Sequence, residues 1–373
     1  MLDQDNVTDK RHMPNICVFK DPIEAVSAIA VPWIKTCKDT HKKCRQLENP
    51  PLPSRVLDVG VDGDEIVLKE SHDLEGAYTI LSHCWGKNGT MTTTPLTLAS
   101  RTRGIRYSDL PPTFQHAVIV TRVLGIRYVW IDSLCIIQGQ ESAEDWQSES
   151  GKMMEYYKNA HATIGALESE DSSIGFLHPR DGKTAKLSAT ENLFVRPFRK
   201  EWRQIYESSM LESRAWCLQE RLLSTRIIQF TNTELLWECQ TNAQRESYLV
   251  VDDTALIFAS AQDSNQNKMK RALANLDVNP FNVGGALAVW HGLVQQYSRR
   301  DLTFASDMLR AISGIANELQ SRTGFTYLHG LWKEDFRRGL LWQPGQLPGV
   351  KRPGIKAKLD FGSKPYKALT IHI

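Results

Sequence analysis

The amino-acid sequence predicts an α/β protein: a three-layer, parallel-sheet core of the doubly wound kind, with a helix and hairpin before it and a helical part after it. Three observations predict this. Three short runs read as strands: residues 128–131, almost wholly apolar like a strand covered on both faces, residues 77–82, which alternate, and residues 162–167. Each run leaves through polar groups: His83-Cys84-Trp85-Gly86, Asp132-Ser133 and Glu168-Ser169-Glu170-Asp171. Between the runs lie segments with helical spacing, so strand, helix, strand implies parallel pairing through right-handed crossovers. Ligands of such sheets sit outside the carboxyl ends of the strands, which places Asp132, Cys135 and Gln138 at the loaded edge before any chemistry is assigned to them.

The totals exclude several classes. A chain of 373 residues can bury one large core or two ordinary ones, and 41% hydrophobic with 24% charged residues is globular composition, so disorder as a whole is excluded. A net charge of +2 with no basic stripe and no acidic tail gives no reason to expect nucleic acid or an anionic membrane as partner. Cysteines at 17, 37, 44, 84, 135, 217 and 239 form an odd set behind a polar, charged start, which points to free thiols in a reducing cytoplasm. No apolar run approaches the roughly 20 residues of a spanning helix, so a soluble protein is expected.

Asp21-Pro22-Ile23 opens a helical segment that Pro32 is expected to interrupt and that resumes over residues 33–44. Cys37, His41 and Cys44 fall on one face of it by their i, i+4, i+7 spacing. Thiolate and imidazole are zinc ligands, but no fourth ligand is visible, so apolar packing of the thiols is the reading and no metal is assigned. Pro50-Pro51-Leu52-Pro53 breaks the helix, and residues 55–59 and 65–68 around Asp62-Gly63 read as a hairpin. Residues 1–74 thus make an accessory helix and hairpin.

The core spans residues 75–245. After the first strand comes a Thr-rich loop over residues 90–97, then a helix in which Phe114, Ala117, Val118, Thr121 and Leu124 repeat behind Pro111-Pro112. This helix delivers the chain into the strand at 128–131. Ser142-Ala143-Glu144-Asp145 reads as a capping box opening a helix with Trp146, Met153, Met154, Tyr157 and Ala160 on one side. Residues 172–209, interrupted by Gly, Pro and charge, read as a long excursion over the carboxyl edge. Ser213 is expected to cap a helix that carries Trp216, Glu220 and Leu223 on one side, and a carboxylate on such a face is costly unless paired or used. Strands follow at 226–230 and 235–239. Residues 246–343 are expected to be helical, at 286–297, 307–319 and 330–342, and residues 344–373 an extended tail.

Several stretches together resemble the heterokaryon-incompatibility (HET) domain of filamentous fungi. They are Leu81-Ser82-His83-Cys84-Trp85-Gly86, Gly125-Ile126-Arg127-Tyr128-Val129-Trp130-Ile131-Asp132-Ser133-Leu134-Cys135-Ile136-Ile137-Gln138, Met154-x-x-Tyr157-x-x-Ala160 and Ser213-Arg214-Ala215-Trp216-Cys217-Leu218-Gln219-Glu220-Arg221, in that order. The similarity continues at Tyr297-Ser298-Arg299-Arg300-Asp301-Leu302-Thr303 and Gly330-Leu331-Trp332 and so runs through most of the chain. The resemblance implies a role in recognition of non-self during hyphal fusion and in the cell death that follows, with self-association or other incompatibility proteins as partners. Trp216-Cys217-Leu218-Gln219-Glu220 is also similar to the Trp-Cys-Leu-x-Glu stretch of plant Toll/interleukin-receptor (TIR) domains, where the Glu cleaves the nicotinamide bond of NAD. The order of strands and helices before it is similar too, which implies a TIR-like, flavodoxin-like core. Ser213 stands one residue away from that pattern.

These resemblances imply Glu220, with Asp132 and Cys135, as the catalytic candidates, and Ser82, His83, Trp85, Gln138, Arg214 and Trp216 as the groups that would hold NAD as substrate, with no cofactor required. The plainer alternatives stand beside them. Glu220 pairs with Arg214, Arg221 or Arg226 as a structural ion pair, Asp132 is a helix cap or holds a buried Arg, and Trp85 and Trp216 are core. Cys135 and Cys84 invite thiol catalysis, but His83 points away from its neighbour Cys84 on a strand, and buried thiols are mostly inert. Gly86 and Gly89 around Lys87-Asn88 make a turn rather than a phosphate loop. An enzyme of secondary metabolism using the same cleft on a small metabolite, and a non-enzymatic death or scaffold module that self-associates, are the other two function classes.

Overall fold

The four strands at the centre of the protein run parallel, and the sheet grows antiparallel on both sides of them. A computed structural model describes residues 15–16, 19–60, 62–87, 89–180, 185–186, 194–195, 200–252, 255–258, 265–276 and 283–341. The main sheet contains β1 (Arg55–Asp58), β2 (Glu65–Glu70), β3 (Tyr78–Ser82), β4 (Ile105–Arg106), β5 (Tyr128–Ile131), β6 (Ala162–Ala166), β7 (Arg226–Phe230), β8 (Leu235–Cys239) and β9 (Ala243–Arg245). Their order in space is β9-β8-β7-β6-β3-β5-β1-β2-β4. Register across the parallel centre is set by Ile228 beside Ile164, Ile164 beside Leu81, and Ile80 beside Trp130. Every residue of β3, β6, β7 and β8 is buried, as the near-continuous apolar runs require of strands with helices on both faces.

The chain passes from β3 to β5 through α4 (Pro112–Val123), then back across β3 to β6 through α6 (Ala143–Asn159). Reversing direction while keeping right-handed crossovers puts those helices on opposite faces. Successive residues of β3 show it: the Tyr78 hydroxyl donates to Tyr156 O of α6 (2.8 Å), whereas Thr79 Oγ1 lies 2.6 Å from Thr121 Oγ1 of α4. Trp130 of β5, with no exposed surface, packs under Tyr156 and Tyr157 at 5.7 and 6.1 Å. Helices α9 (Ala215–Leu223) and α12 (Arg310–Thr323) pack on α6, and the amino-terminal helix packs on α4, which completes the three layers.

Several local expectations give way to longer-range forces. Pro32 interrupts nothing: Pro22–Ala25 and Val31–Thr40 are joined by a π-helical turn, Val26–Ala30, in which the Val31 N–H reaches Val26 O and the wider turn takes up the proline. The hairpin is no separate layer, since Leu57 and Asp58 of β1 pair with Val129 and Tyr128 and so extend the central sheet. No capping box forms at Ser142, whose side chain makes no cap bond; Asp145 instead accepts from Arg55 and from the Ile137 N–H. The Thr-rich loop holds a short helix, α3 (Pro95–Arg101), with Thr94 and Thr97 capping reciprocally. Residues 330–332 are not helical: Tyr327–Leu328 and Leu331–Trp332 form a hairpin around His329 (φ 49°) and Gly330 (φ 100°), a turn needing two positive φ values. The tail expected at 344–373, residue 342 and most of residues 181–199 lie outside the described residues.

One ion pair fastens α9 to the sheet. Arg221 Nε donates to Glu238 Oε2 at 2.9 Å, with both side chains almost wholly buried, and the Tyr206 hydroxyl donates to Glu238 Oε1 at 2.7 Å. The Tyr206 ring lies 3.8 Å under the Arg221 guanidinium. Burial pushes the Glu238 carboxyl up and Arg221 brings it down further, so it lies below the usual glutamate range. Its contribution is therefore present above the unfolded-state pKa and lost as pH falls. Glu238→Gln should cost about 3 kcal/mol in urea unfolding at pH 7, because buried Arg221 loses its nearest counter-charge and keeps only the Glu212 carboxylate at 3.5 Å. The difference from the parent protein should shrink at acid pH.

Candidate functional site

The site lies where β3 and β5 end and α9 crosses them. β3 delivers Ser82 and, one step on, His83, Cys84 and Trp85; β5 runs straight into a single helical turn, α5 (Asp132–Cys135), that begins at Asp132. Ser82 Oγ donates to Glu220 Oε2 at 2.5 Å, and the Tyr157 hydroxyl of α6 also hydrogen-bonds that carboxylate. Trp85 Nε1 donates to Asp132 Oδ2 at 3.0 Å, and the Ser133 N–H to Asp132 Oδ1 at 2.7 Å. Glu220 is 6% exposed, while the Asp132 side chain keeps 22%. Asp132 is thus the carboxylate that meets solvent, and Glu220 the one beneath.

The start of α9 is fixed from outside the core. The Asp301 N–H donates to Ser213 O (2.6 Å) and the Ala215 N–H to Asp301 O (2.9 Å), a short parallel bridge. Arg300 pairs with Glu212 at 2.5 Å and donates to Arg214 O at 3.2 Å. Ser213 therefore caps nothing; its hydroxyl donates back to Met210 O at the start of α8 (Met210–Ser213), and extended Arg214 (φ −82°, ψ 137°) takes the cap position. That backbone turns the Arg214 guanidinium onto His83 O, 2.5 Å away. The carboxylate is carried one helical turn inside.

Electrostatics divides the edge groups. Burial raises the Glu220 carboxyl, and Arg214, Ser82 and Tyr157 draw it only part of the way back. Asp132 is likewise raised by burial, with Arg214, the Ser133 amide and Trp85 opposing. None of the expected arginines touches Glu220: Arg214 bonds His83 O, Arg221 bonds Glu238, and Arg226 bonds Gln46 and Cys44 O. Burial first, then the Arg214 charge, lowers His83 to about 3, so its imidazole is neutral. Among the described residues neither of its ring nitrogens has a hydrogen-bond partner; Nδ1 stands 3.9 Å from Asp132 Oδ1, and Phe114 packs edge-on at 5.0 Å. Burial pushes the thiols up, Cys84 to about 11 and Cys135 to about 12, so neither is a thiolate at neutral pH.

Ser82, His83, Trp85, Asp132, Arg214 and Glu220 are brought together. Three expected residues are not. Cys135 has no exposed surface and its carbonyl receives Arg55 Nε at 2.7 Å, on the side toward β1. Gln138 is tied to the threonine loop by its N–H to Thr93 O (2.7 Å) and folds its amide onto Ile136 O. Trp216 turns toward the carboxy-terminal helices, where its Nε1 reaches Asp307 Oδ2 at 3.4 Å and its ring meets Trp146 edge-on at 6.3 Å. Tyr157, Arg300 and Asp301 join the site without having been singled out for it. The signal for Tyr157 was its phase on the core face of α6 beside Met153 and Met154.

Comparison with known proteins places residues 78–220 in a match to the family described as heterokaryon incompatibility protein (HET). The matched stretch begins at the first residue of β3 and ends at Glu220, so it encloses every residue of the site except Arg300 and Asp301. It supports a heterokaryon-incompatibility-type role. No curated protein and no solved structure matches the chain. Among the described residues no helix is long and apolar enough to cross a membrane.

The turn after β3 must be glycine. Gly86 has φ +80°, and a Cβ there would stand 2.4 Å from Asp171 Cβ. Gly86→Ala should cost roughly 2 kcal/mol in chemical unfolding through positive φ and the forced retreat of Asp171, and should change the tryptophan fluorescence as Trp85 moves. Gly89→Ala, with the same φ sign (+78°) and open space around it, should cost about 1 kcal/mol.

Proposed function

We propose, from the heterokaryon-incompatibility domain matched over residues 78–220, that this protein hydrolyses the nicotinamide–ribose bond of NAD at the Glu220 site and acts in non-self recognition and the cell death that follows. One observation carries the proposal: a carboxylate buried on an apolar helix face at the carboxyl edge of a doubly wound sheet, held by two hydroxyls and touched by none of the three nearby arginines. A buried carboxylate without a contacting cation costs several kcal/mol of solvation, and such costs concentrate where they are used. The likeness of Trp216-Cys217-Leu218-Gln219-Glu220 to the catalytic stretch of TIR domains supports the same assignment.

The chemistry suits the groups. Nicotinamide leaves as a neutral pyridine, so no general acid is needed; the barrier is the positive charge that develops on ribose C1′. An ionised Glu220 in low dielectric stabilises that charge, with Ser82 and Tyr157 donating to orient the carboxylate. Asp132, partly exposed, accepts from ribose hydroxyls, and the unpartnered neutral His83 beside it offers one donor and one acceptor to the substrate. The C1′–N1 electron pair departs with nicotinamide, water adds at C1′, and its proton passes to solvent, giving ADP-ribose. NAD is then the substrate and no further cofactor takes part. The cytoplasm, where NAD is abundant, is the place of action, and self-association is the condition under which activity is expected.

Purified protein mixed with NAD should release nicotinamide, measured by chromatography, and Glu220→Gln should reduce release at least about 100-fold with the fold retained. Glu220 must be ionised, so the rate should rise with pH through a pKa above the usual glutamate range. Ser82→Ala removes a bond that lowers that pKa, so the acid limb should move to higher pH. Stability carries the opposite sign. The neutral form is favoured in the folded state, so the parent protein loses stability as pH rises through the raised pKa, and Glu220→Gln should not. Absence of release at high protein concentration, from a protein shown to be folded, removes the catalytic reading and leaves association or another metabolite.

A further inference from the structure

Far along the chain from the Glu220 site, the cysteine and histidine residues of the amino-terminal helix meet a partner that their own spacing does not reveal. Cys37 lies in the last turns of the helix Val31–Thr40, His41 is its extended C-cap (φ −93°, ψ 99°), and Cys44 closes a 3₁₀ turn, Lys42–Cys44. The three therefore do not share a helical face; the chain folds round after Thr40 and brings them together. Cys239, the last residue of β8, completes the group. One Sγ or imidazole nitrogen from each of Cys37, His41, Cys44 and Cys239 lies within 4.8 Å of all the others. The three sulfurs are buried and His41 is half-buried.

We propose that Cys37, His41, Cys44 and Cys239 bind one zinc ion in a closed, tetrahedral, structural site. Three thiolates and one imidazole are a zinc donor set, and with all four positions filled by protein no place remains for substrate. In a tetrahedral site with bonds of about 2.0–2.3 Å the donor atoms stand about 3.5–3.8 Å apart, so these side chains need draw in by no more than about 1 Å. The surroundings suit bound thiolates. The N–H groups of Thr241 and Asn242 point at Cys239 Sγ, at 3.4 and 3.3 Å, from the turn that follows β8. Arg226 Nε points at Cys37 Sγ at 3.3 Å. These are outer hydrogen bonds of the kind that fix metal ligands.

Charge agrees as well. Three thiolates, one neutral imidazole and Zn²⁺ leave a net charge of −1, and the buried cations Arg226 and Lys270 flank the group. Lys270, 1% exposed, donates to Arg221 O at 2.7 Å and feels the charge of Glu238, Cys239 and Cys44. The ion would tie the amino-terminal helix to the end of β8, one residue past Glu238. It would close a loop of about 200 residues, the geometry in which a crosslink removes most freedom from the unfolded chain.

The test is metal content. Protein expressed with added zinc and purified with a reductant and no chelator should hold about one zinc per chain by plasma mass spectrometry. X-ray absorption at the zinc edge should show three sulfurs at about 2.3 Å and one nitrogen at about 2.0–2.1 Å. Cys44→Ser and Cys239→Ser should lower occupancy at least about fivefold, whereas Cys84→Ser should not. Because ligand variants can fail to fold, the parent protein is also titrated with an organomercurial in the presence of a zinc-sensitive dye, and zinc should appear as about three thiols react. Folded parent protein that holds no zinc, takes up none when it is added, and shows these thiols titrating singly or joined as a disulfide overturns the proposal. None of these readings depends on NAD, so the site stands or falls separately from the proposed hydrolysis.

Discussion

The hydrogen bond from Ser82 to Glu220 is the constraint on which the carboxyl edge depends. It joins the last residue of the central parallel strand to the middle of α9, and it puts a carboxylate where water does not compensate it. A helix left to itself would turn that face away. It is held by the Arg300–Glu212 pair and the Asp301 bridge at its start, and by Arg221 bound to Glu238 in its last turn. Glu220 and Arg221 are adjacent, so about 100° of helix separates a carboxylate aimed at the strand ends from a guanidinium aimed at the sheet's outer strands. Fixing the second direction fixes the first. The stable ion pair is what makes the unpaired carboxylate possible.

The parts of the fold that are legible in the sequence are those whose signal is local and whose competitor is weak. Runs such as Tyr128-Val129-Trp130-Ile131 have no other way to bury both faces, and α4 reads clearly because its apolar repeat and its prolines agree. Expectations fail where a distant residue outbids a local motif. Asp145 would complete a capping box, but a charge-assisted bond to Arg55, 90 residues away, is stronger than a cap. Ser213 would cap α9, but Asp301 already occupies the backbone it would serve. Pro32 would break a helix, but a π turn upstream spends the misfit. Each of these is a contest that one segment alone cannot display.

The same division runs through the site. Ser82, His83, Trp85 and Asp132 were legible because strand ends in an open α/β sheet are a rule of topology, and Glu220 because a carboxylate on an apolar face is conspicuous by its cost. Gln138 and Cys135 met the topological rule equally well and still fall outside, since the turn after β5 carries them past the edge toward Thr93 and Arg55. Position along the chain after a strand is a weaker guide with each residue. Cys239 was invisible as a ligand for the opposite reason: its partners, Cys37 to Cys44, lie about 200 residues earlier, and only the pairing of β8 with β7 and the packing of the amino-terminal helix bring it to them.

The described cysteines show how far environment, rather than residue type, decides chemistry. Cys84 and Cys217 flank the carboxyl edge and Cys135 lies past it, all in apolar contact, where burial and neighbouring carboxylates raise their thiols and Arg214 or Arg55 opposes this only in part. Cys37, Cys44 and Cys239 are just as buried, yet they face amide N–H groups, a guanidinium, a buried ammonium and one another. The first set favours the neutral thiol and suits packing; the second, ringed by amide and guanidinium donors, suits a bound cation. A count of cysteines could not separate these sets, because both are buried. Their separation follows from place: the first set lies among apolar side chains beside or past the carboxyl edge, and the second lies where β8 turns and the Thr241 and Asn242 N–H groups face Cys239 Sγ.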